Sequence, residues 1–575
     1  MHKREPMKVR GKFELVACLL ALTALGVWKW RDRSTTQPDI AQDLVETAAT
    51  DPAEVAPETK ATARPINPSG AAANSPLLAE AKTEAPSLPP AGIYEPKDNI
   101  VEIELSEYAG YSGLVVANGG LEPTENSEFF KKGGFKVKFT LNEVESRGAL
   151  HSGKLAALAT TVDVLPLFGR QFAAVVPAQI SFSRGADGVV VRREIKRVNH
   201  LKGRVLAAAQ FTGSDYFMRF LAEAAGLGIQ VLPSLKVRPN PDKLNLVYCQ
   251  DAFGAGDLFL QDLQDGGGLL AGCVTWAPKT VEIAAQSKGQ AYILADSVNL
   301  LILADVLAFN KGFVRQHPEK VTVLVAGLLE GNRQVQADQN ACLDIIGKAF
   351  GWDREKAKSE LAMVHLSNLP ENLAFFSGVI EAAGSFTGIY QSALKAYGKD
   401  PLKNAADEAE LLELKHLKAI EKSGAFAGQN LAIAPLHAPA SAVPGSPLLS
   451  KDIRFLFEPN TFTLQLNLPE NQRNLEVIKQ LLHVSPGSKV LLRGHVDNAM
   501  VEEFRKKGGD QFVKQTAERA LDLSKHRALE IRRLLVERYD FDLARIETIG
   551  LGWNEPLGSV KERNRRVEVQ WFTYK

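Results

Sequence analysis

The chain has 575 residues, of which 45% are apolar and 23% are charged, a composition typical of globular proteins rather than disordered, collagen-like or polytopic membrane chains. At roughly 150 residues per domain, this length predicts two to four domains. The formal net charge is +1, so the composition gives no sign of nucleic-acid binding. The four cysteines form no C-x-x-C pair, which leaves a Cys249–Cys273 bridge or two buried thiols as alternatives.

Residues 1–33 predict a cytoplasmic tail followed by a membrane anchor. Five basic side chains lie within the first fourteen residues, and a mostly apolar run then extends from Leu15 to Trp28. This run is short for a transmembrane helix and also fits the core of a cleaved signal peptide, but no small-residue cleavage site follows it. The excess of positive charge before the run predicts a single-pass membrane protein with its N-terminus in the cytoplasm and the remainder outside.

Residues 34–95 predict a disordered tether rich in proline and alanine. No aromatic residue occurs between Arg31 and Ile93, and such a segment cannot bury enough apolar surface to offset the entropy lost on ordering. A flexible tether lets the following domains work at a distance from the membrane.

Residues 96–400 alternate β-rich and helical patterns. The predicted strands are Val101–Leu105, Phe135–Thr140, Phe172–Val176 and Val189–Val191, and the predicted helices include Ser146–Ala157 and Ser214–Ala225. This alternation is typical of parallel sheets covered by helices on both faces, which bind ligands at the carboxyl ends of their strands. The region therefore predicts an α/β ligand-binding domain.

Several segments of this region also follow one another in a family-specific order. They are Tyr108–Gly113, Ala149–Leu158, Thr160–Asp163, Leu201–Val205, Gln210–Asp215 and His317–Lys320. Together they resemble the type II periplasmic solute-binding proteins that serve nitrate, sulfonate and taurine transporters. The resemblance implies a two-lobed α/β domain, a small anionic solute such as nitrate, phosphate, a sulfonate or an organic acid, and an ABC permease as partner.

The segment Phe211-Thr-Gly-Ser214 is the strongest candidate for the solute site. A turn of small residues that opens a helix exposes free N–H groups and the positive end of the helix dipole, which suits an anion. Thr212 and Ser214, on either side of Gly213, can add hydroxyl donors. The alternative is a plain helix N-cap formed by Thr212 or Ser214.

Further candidates for the solute site follow from the resemblance. Ser112 and Thr161 occupy ligand positions of the family, and Trp276 lies in a segment that resembles the cleft lining of the second lobe. Trp276 therefore covers the ligand or, alternatively, belongs to the core. Asp163 and Asp187 offer a different alternative, a site for a cationic group, unless they are solvated loop carboxylates.

No catalytic residue, cofactor or metal site is predicted. Gly110-Tyr-Ser-Gly113 falls one residue short of the G-x-S-x-G nucleophile elbow, and Gly254-Ala-Gly-Asp-Leu-Phe259 lacks the third glycine of the dinucleotide fingerprint. The sequence contains no H-E-x-x-H motif, no P-loop and no cysteine–histidine metal spacing. We therefore expect a binding protein rather than an enzyme.

Residues 401–451 predict a charged helix at Ala405–Glu421 and a second proline-rich linker, and residues 452–575 predict a further domain. Its predicted elements are a strand and turn at Ile453–Asn460, a helix at Leu475–Leu482, a strand at Lys489–Arg493, a helix at Leu521–Val536 and a strand at Arg566–Phe572. The order β-α-β-α-β predicts an α+β sandwich with a mixed sheet.

Four motifs occur in order within this C-terminal domain. They are Gly494-His-Val-Asp497, Leu523-Ser-Lys-His-Arg-Ala528, Gly550-Leu-Gly-Trp-Asn-Glu-Pro556 and Asn564-Arg-Arg-Val-Glu568. They resemble the OmpA C-terminal family of peptidoglycan-binding domains. The resemblance implies that Asp497 and Arg527 bind the diaminopimelate residue of the peptide stem, with Asn564 helping to hold the site. A carboxylate suits the ligand's ammonium and a guanidinium grips its carboxylate. A purely structural Asp–Arg pair is the alternative, and Arg565 and Arg566 are expected to brace the fold.

The spacing of this site departs from the family pattern. Asp497 and Arg527 are thirty residues apart, about twice the usual separation, and Lys506-Lys-Gly-Gly509 predicts that the excess forms an inserted loop within Ala499–Gln515.

Together, the predicted anchor and the two resemblances imply a non-catalytic protein of the bacterial inner membrane, with its bulk in the periplasm, that binds a small anionic solute and attaches to peptidoglycan. The alternative is a wall-tethering scaffold or sensor whose solute-binding domain docks a protein partner. A stator-like channel component would need a proton-carrying carboxylate within the membrane, and Glu14, at the edge of the apolar run, is the only candidate.

Overall fold

The computed structural model describes residues 71–573, except 143–145, 379–383, 399–401, 403–405, 432–445, 459–460, 486 and 559. The predicted cytoplasmic tail and membrane anchor lie outside the described residues. Within the described ranges, no helix combines the length and the apolar character needed to cross a membrane.

The strands follow one another along the chain as β1 (Leu78–Ala79), β2 (Ile100–Leu105), β3 (Lys136–Leu141), β4 (Ala157–Thr161), β5 (Ala174–Ser183), β6 (Asp187–Arg192), β7 (Val205–Ala209), β8 (Ile229–Val231), β9 (Leu244–Cys249), β10 (Gly272–Trp276), β11 (Ala291–Asp296), β12 (Ala304–Asn310), β13 (Val364–Leu366), β14 (Leu449–Ile453), β15 (Lys489–Gly494), β16 (Ile546–Gly550) and β17 (Val567–Phe572).

The α-helices are α1 (Ser112–Asn118), α2 (Glu128–Gly133), α3 (Arg147–His151), α4 (Gly213–Ala224), α5 (Ala252–Gln264), α6 (Lys279–Gln286), α7 (Lys311–Gln316), α8 (Pro318–Ala337), α9 (Gln339–Phe350), α10 (Arg354–Leu361), α11 (Leu369–Ser377), α12 (Phe386–Tyr397), α13 (Lys415–Ser423), α14 (Pro469–Val484) and α15 (Val501–Tyr539).

Two sheets build the central region, one in each lobe. Lobe 1 has the strand order β13-β5-β12-β4-β2-β3, and lobe 2 has the order β1-β9-β7-β10-β6-β11, with β8 beside β9. After β2 the chain crosses between the lobes twice, from β5 to β6 and from β11 to β12. Strands β5, β9 and β12 are buried along their whole length, as expected for sheets covered on both faces. The two-lobed α/β architecture implied by the sequence is therefore present.

Most predicted elements overlap observed ones, but three differ in their bounds. The strand predicted at Ile453–Asn460 is β14, which ends at Ile453, and the helix predicted at Ala405–Glu421 is α13, which begins at Lys415 after a short 3-10 turn at Glu408–Leu411. The helix predicted at Ser146–Ala157 is shorter than expected. It ends at His151, because Gly153 adopts a positive φ of 74° that terminates the turn. The small and β-branched residues that follow form the buried strand β4 instead, between β2 and β12. Tertiary burial overrides the helical pattern at this point.

The segment 71–95, predicted to be the end of the disordered tether, instead packs on both lobes. Strand β1 pairs antiparallel with β9 at the edge of lobe 2. The backbone of Lys82 exchanges two hydrogen bonds with the Gln210 side chain, also in lobe 2. Further along, Gly92 donates to the carbonyl of His151 in lobe 1. Pairing with an existing sheet edge supplies the backbone partners that this segment cannot provide for itself.

The C-terminal domain is a mixed sheet, in the order β14-β17-β15-β16, packed against α15, which also contacts α14. Strand β16, parallel to β15, is an element that the predicted β-α-β-α-β order missed. Helix α15 approaches the sheet closely at Gly494, where an added Cβ would lie 2.1 Å from the carbonyl oxygen of Ser524. Glycine is therefore required at this position of the Gly-His-Val-Asp motif.

The C-terminal domain also contacts the central region. The Asn199 side chain accepts from the backbone N–H of Ser450 and donates to its carbonyl, each at 2.8 Å. Val198 donates to the carbonyl of Leu448, next to β14. Leu301, in the second crossover between the lobes, donates to the carbonyl of Val484 at the end of α14.

Candidate functional sites

A cavity of about 110 Å³ lies between the two lobes. Its lining residues are Ser106, Tyr108, Tyr111, Arg147, Thr161, Asp187, Gln210, Thr212, Gly213, Gln250, Asp251, Ala252, Trp276 and Asp305. Many of them end or directly follow strands: Ser106 follows β2, Thr161 ends β4, Gln210 follows β7 and Gln250 follows β9. The cavity therefore occupies the carboxyl ends of the parallel strands, the place predicted for a ligand.

Asp187 is the most unusual of the cavity residues because it is a buried carboxylate at the hinge. It begins β6, directly after the first crossover, and is only 8% exposed. Its backbone N–H points to the hydroxyl oxygens of Ser183 and Ser297, at 3.2 and 3.3 Å. Burial raises the pKa of the Asp187 carboxyl to about 6, against a smaller opposing effect of a hydrogen bond with Ser183.

Asp305 supplies a second buried carboxylate to the same cavity. It lies at the start of β12, paired in register with Thr161 on β4. One of its oxygens accepts from the Tyr111 hydroxyl at 3.1 Å and the other accepts from the Ser181 hydroxyl at 2.9 Å. Both of these donors are neutral, so neither offsets the negative charge that Asp305 brings to the cavity.

The start of α4, predicted as an anion cradle, already holds an acidic side chain. Thr212 caps the helix by accepting from the N–H of Asp215, and its own hydroxyl donates to the carbonyl of Ala209 at 2.8 Å. The Asp215 carboxylate accepts from the N–H of Phe211 at 3.2 Å. It also receives the Arg219 guanidinium at 2.8 Å. The N-cap alternative is therefore present, and the Thr212 hydroxyl hydrogen is already engaged.

The structure separates the predicted solute-site residues into two groups. Thr161, Thr212, Gly213 and Trp276 all line the cavity, whereas the fully buried Ser112 and Ser214 lie outside its lining. Tyr108, Tyr111 and Gln210 lie in the segments Tyr108–Gly113 and Gln210–Asp215 that carry the resemblance, although none of the three is a predicted ligand residue. Four other lining residues have no predicted role: Arg147, Gln250, Asp251 and Asp305.

The sequence allows Cys249 and Cys273, both in lobe 2, to form a disulfide bridge or to remain buried thiols, and the structure shows two buried thiols. Cys249 and Cys273 are both free and buried. Burial raises the pKa of Cys249 to about 12 and that of Cys273 well above its ordinary value. Both thiols are therefore protonated core side chains.

In the C-terminal domain, Asp497 pairs with an arginine that sequence analysis had assigned to bracing the fold. Arg565 Nε donates to Asp497 Oδ2 at 2.5 Å, and Asp497 Oδ1 accepts from the N–H of Ala499 at 2.9 Å. Although burial opposes ionisation, the hydrogen bond and charge of Arg565 lower the pKa of Asp497. The Arg565 side chain is 58% exposed and therefore accessible to a ligand.

Arg527 lies within electrostatic reach of this pair. Burial, together with the charge of Arg565, lowers the pKa of Arg527, while the charge of Asp497 opposes that shift. Arg527 Nε donates to the carbonyl of Thr461 at 3.1 Å, and its guanidinium lies 4.9 Å from the centre of the Phe457 ring. The charges of Asp497 and Arg527 therefore act on each other, with Arg565 as a third charged group.

Residues 456–570 match the OmpA family. This match covers all four motifs and confirms the family expected for the C-terminal domain. No curated protein sequence matches the chain.

Many solved structures match part of the chain at low sequence identity, including the following three. They are the ligand-binding component of an ABC-type import system from Staphylococcus aureus (13% identity, 56% of this chain, 98% of that chain, TM-score 0.40), the aliphatic sulphonate binding protein SsuA from Escherichia coli (15%, 54%, 97%, 0.39) and the desulfurization enzyme DSZB (14%, 56%, 99%, 0.36). Overlaps with TM-scores below 0.5 carry no weight for the function of this chain.

Asn564 and Arg566, the other two residues predicted in the OmpA domain, hydrogen-bond to groups within the domain. Asn564 is 1% exposed, and its Oδ1 accepts from the N–H of Leu557 at 2.8 Å, so it shapes the loop before β17. Arg566 Nε donates to Asp452 at 2.7 Å, which ties β14 to the end of the domain.

The insertion in the OmpA domain is helical rather than the loop that was predicted. Helix α15 runs from Val501 to Tyr539 and is interrupted by non-helical backbone at Gly508 and Gly509, the latter with a φ of 65°. The two glycines therefore break one long helix into two, and the ring of Phe504 on the first part lies 6.5 Å from that of Trp553.

In the described part of the chain, one cluster of side chains has the spacing of a metal site. His495, Glu555 and Glu568 offer ligand atoms within 4.8 Å of one another. However, the Arg493 guanidinium donates to Glu568 at 2.7 Å and to Glu555 at 2.8 Å. Burial opposes ionisation of Glu568, but His495 and Arg493 lower its pKa to about 2. Arg493 therefore supplies the positive charge that balances these carboxylates, in the place where a metal ion would otherwise do so.

Proposed function

We propose that this chain is a non-catalytic protein of the cell envelope that attaches to peptidoglycan and binds a small solute between its two lobes. The cluster of Asp497, Arg527 and Arg565 in the OmpA domain is the observation that carries the proposal. Diaminopimelate ends in an ammonium and a carboxylate on one carbon. The Asp497 carboxylate suits the ammonium, and the two guanidiniums suit the carboxylate.

The location proposed for the protein rests on the sequence and on the wall ligand. The basic N-terminus and the apolar run favour an inner-membrane anchor with a cytoplasmic tail. Because peptidoglycan lies outside that membrane, an anchored OmpA domain that binds it must be periplasmic. An ABC permease is the proposed partner if the bound solute is transported.

Solute binding is supported by the cavity at the carboxyl ends of the strands in both lobes. Arg147 is the lining side chain that suits the predicted anionic solute, whereas the α4 N-terminus already holds the Asp215 carboxylate. The acidic side chains Asp187, Asp251 and Asp305 line the same cavity, so its charge does not favour a simple oxyanion.

Co-sedimentation of the full-length chain with purified peptidoglycan tests the wall-binding half. We expect Asp497→Ala and Arg527→Ala to lose most of the pelleted protein, and Arg565→Ala to weaken pelleting. Arg563→Ala is the matched control because Arg563 is an exposed arginine two residues from Arg565. Equal pelleting of all four variants and the unmodified chain would contradict the assignment of the site.

A further inference from the structure

The interlobe cavity combines buried negative charge with aromatic side chains. Three carboxylates, those of Asp187, Asp251 and Asp305, face a single basic side chain, Arg147, among its described lining residues. Asp251 is partly compensated because its Oδ1 caps α5 by accepting from the N–H of Gly254 at 2.7 Å. The described lining residues therefore include three carboxylates and one guanidinium.

Asp187 is the carboxylate that most needs a partner of opposite charge. No basic side chain contributes to the shift of its pKa, and burial is the dominant cause of that shift. An ionised carboxylate that is 8% exposed and lacks a cation is costly, so a bound cation would stabilise it.

Aromatic side chains surround the same position. Trp276 is paired in register with Asp187 across β10 and β6. Tyr108 is only 7% exposed, lines the cavity, and has a hydroxyl without a hydrogen-bond partner. Burial raises the pKa of the Tyr108 hydroxyl, and the charges of Asp305 and Asp187 raise it further. The indole N–H of Trp276 is likewise buried without a partner.

We infer that the cavity binds a small organic cation, whose ammonium group is held by Asp187 beside Trp276 and Tyr108. Carboxylate and aromatic side chains together are the groups that recognise ammonium ions, through charge and through the negative faces of the rings. The unpartnered Tyr108 hydroxyl can accept from an N–H of the ligand or donate to a neutral oxygen on it. This inference rests on the proposed solute-binding function and specifies the charge of the solute.

Isothermal titration of the purified full-length chain with four classes of compound tests the inference. The classes are primary amines, quaternary ammonium compounds, zwitterionic amino acids and amino sulfonates, and simple anions (nitrate, phosphate and alkanesulfonates). We expect binding by compounds that carry an ammonium group. We expect Asp187→Asn to weaken that binding roughly thirtyfold or more, since removing one partner of a buried charge pair has effects of that order.

The matched control is Asp257→Asn. Asp257 is a half-exposed carboxylate of α5 that pairs with Lys279 outside the cavity lining, so we expect its substitution to leave affinity unchanged. Trp276→Leu keeps every carboxylate and is expected to weaken quaternary ammonium binding through loss of the ring. A thermal melt of each variant checks that it is folded.

The outcomes separate this inference from the function on which it rests. Binding of simple anions alone, unaffected by Asp187→Asn, would overturn the cationic solute and leave solute binding intact. The absence of binding by any compound would overturn both and favour the scaffold alternative. Binding of a zwitterion that is lost in Asp187→Asn would support the inference, because that dependence requires the ammonium group.

Discussion

Replacing Asp187 with asparagine should stabilise the ligand-free protein, and the gain should depend on pH. The folded chain holds the Asp187 proton with a pKa of about 6, whereas an ordinary aspartate has a pKa of 3.8. Between these values the folded state binds more protons than the unfolded state. The free energy of unfolding therefore falls as pH rises from about 4 to about 6.

The magnitude follows from the difference between the two pKa values. At 1.36 kcal/mol per pKa unit, the ionised Asp187 costs the folded state about 3 kcal/mol above pH 6. Asparagine has nearly the same shape and does not titrate. The free energy of unfolding of Asp187→Asn, measured relative to that of the unmodified chain, should therefore increase by about 2 kcal/mol between pH 4 and pH 7.5.

Urea unfolding at several pH values between 4 and 7.5, in buffer free of amines, measures this difference. The constant offset includes any unfavourable contact of the new amide, so the pH-dependent part isolates the charge. Asp257→Asn, on the exposed face of α5, should show no comparable pH-dependent gain. A difference between Asp187→Asn and the unmodified chain that stays constant from pH 4 to pH 7.5 would refute the argument.

Three further predictions concern the OmpA domain and its contacts. Glu568→Gln should reduce the free energy of unfolding by about 3 kcal/mol at pH 7. A pKa near 2 means that the Glu568 carboxylate stabilises the fold above pH 4.5 and that this stabilisation is lost as pH falls toward 2. Urea unfolding measures the difference in stability between the variant and the unmodified chain, and a difference that does not become smaller from pH 7 to pH 3 would contradict this prediction. Gly494→Ala should destabilise the domain by roughly 2 kcal/mol or more, since its Cβ would collide with a helix carbonyl; an unchanged melting temperature would show that α15 can move away. Asn199→Ala should speed hydrogen exchange at the Ser450 amide, which donates to the Asn199 side chain; unchanged protection would mean that other contacts hold β14.

Local sequence pattern predicts an element or a domain correctly where the determining residues lie close together in the chain. Helix α4 begins and ends within a residue of its predicted bounds, because its apolar residues recur at helical spacing and Thr212 caps it. The four C-terminal motifs identified the OmpA domain because each combines several residues at fixed spacing.

Residues that meet only through long-range pairing escaped the sequence analysis. Asp305 lines the cavity because β12 pairs with β4 and places Asp305 opposite Thr161. The residues next to Asp305 in the sequence do not indicate this pairing. Arg565 reaches Asp497 from 68 residues away. The sequence offers Asp187 only as one alternative for binding a cationic group, because its burial at the hinge depends on the fold and not on local pattern.

The segment that leads from β1 to β2 also sets a limit on how far the lobes can separate. It is fastened to Gln210 of lobe 2 at Lys82 and to His151 of lobe 1 at Gly92. Ten residues of fully extended chain reach at most about 36 Å. While the hydrogen bonds at Lys82 and Gly92 are both intact, this segment limits the distance between the two lobes to its own extended length. A pulling force applied to the chain from its N-terminal side acts on lobe 2 first, because β1 pairs with β9.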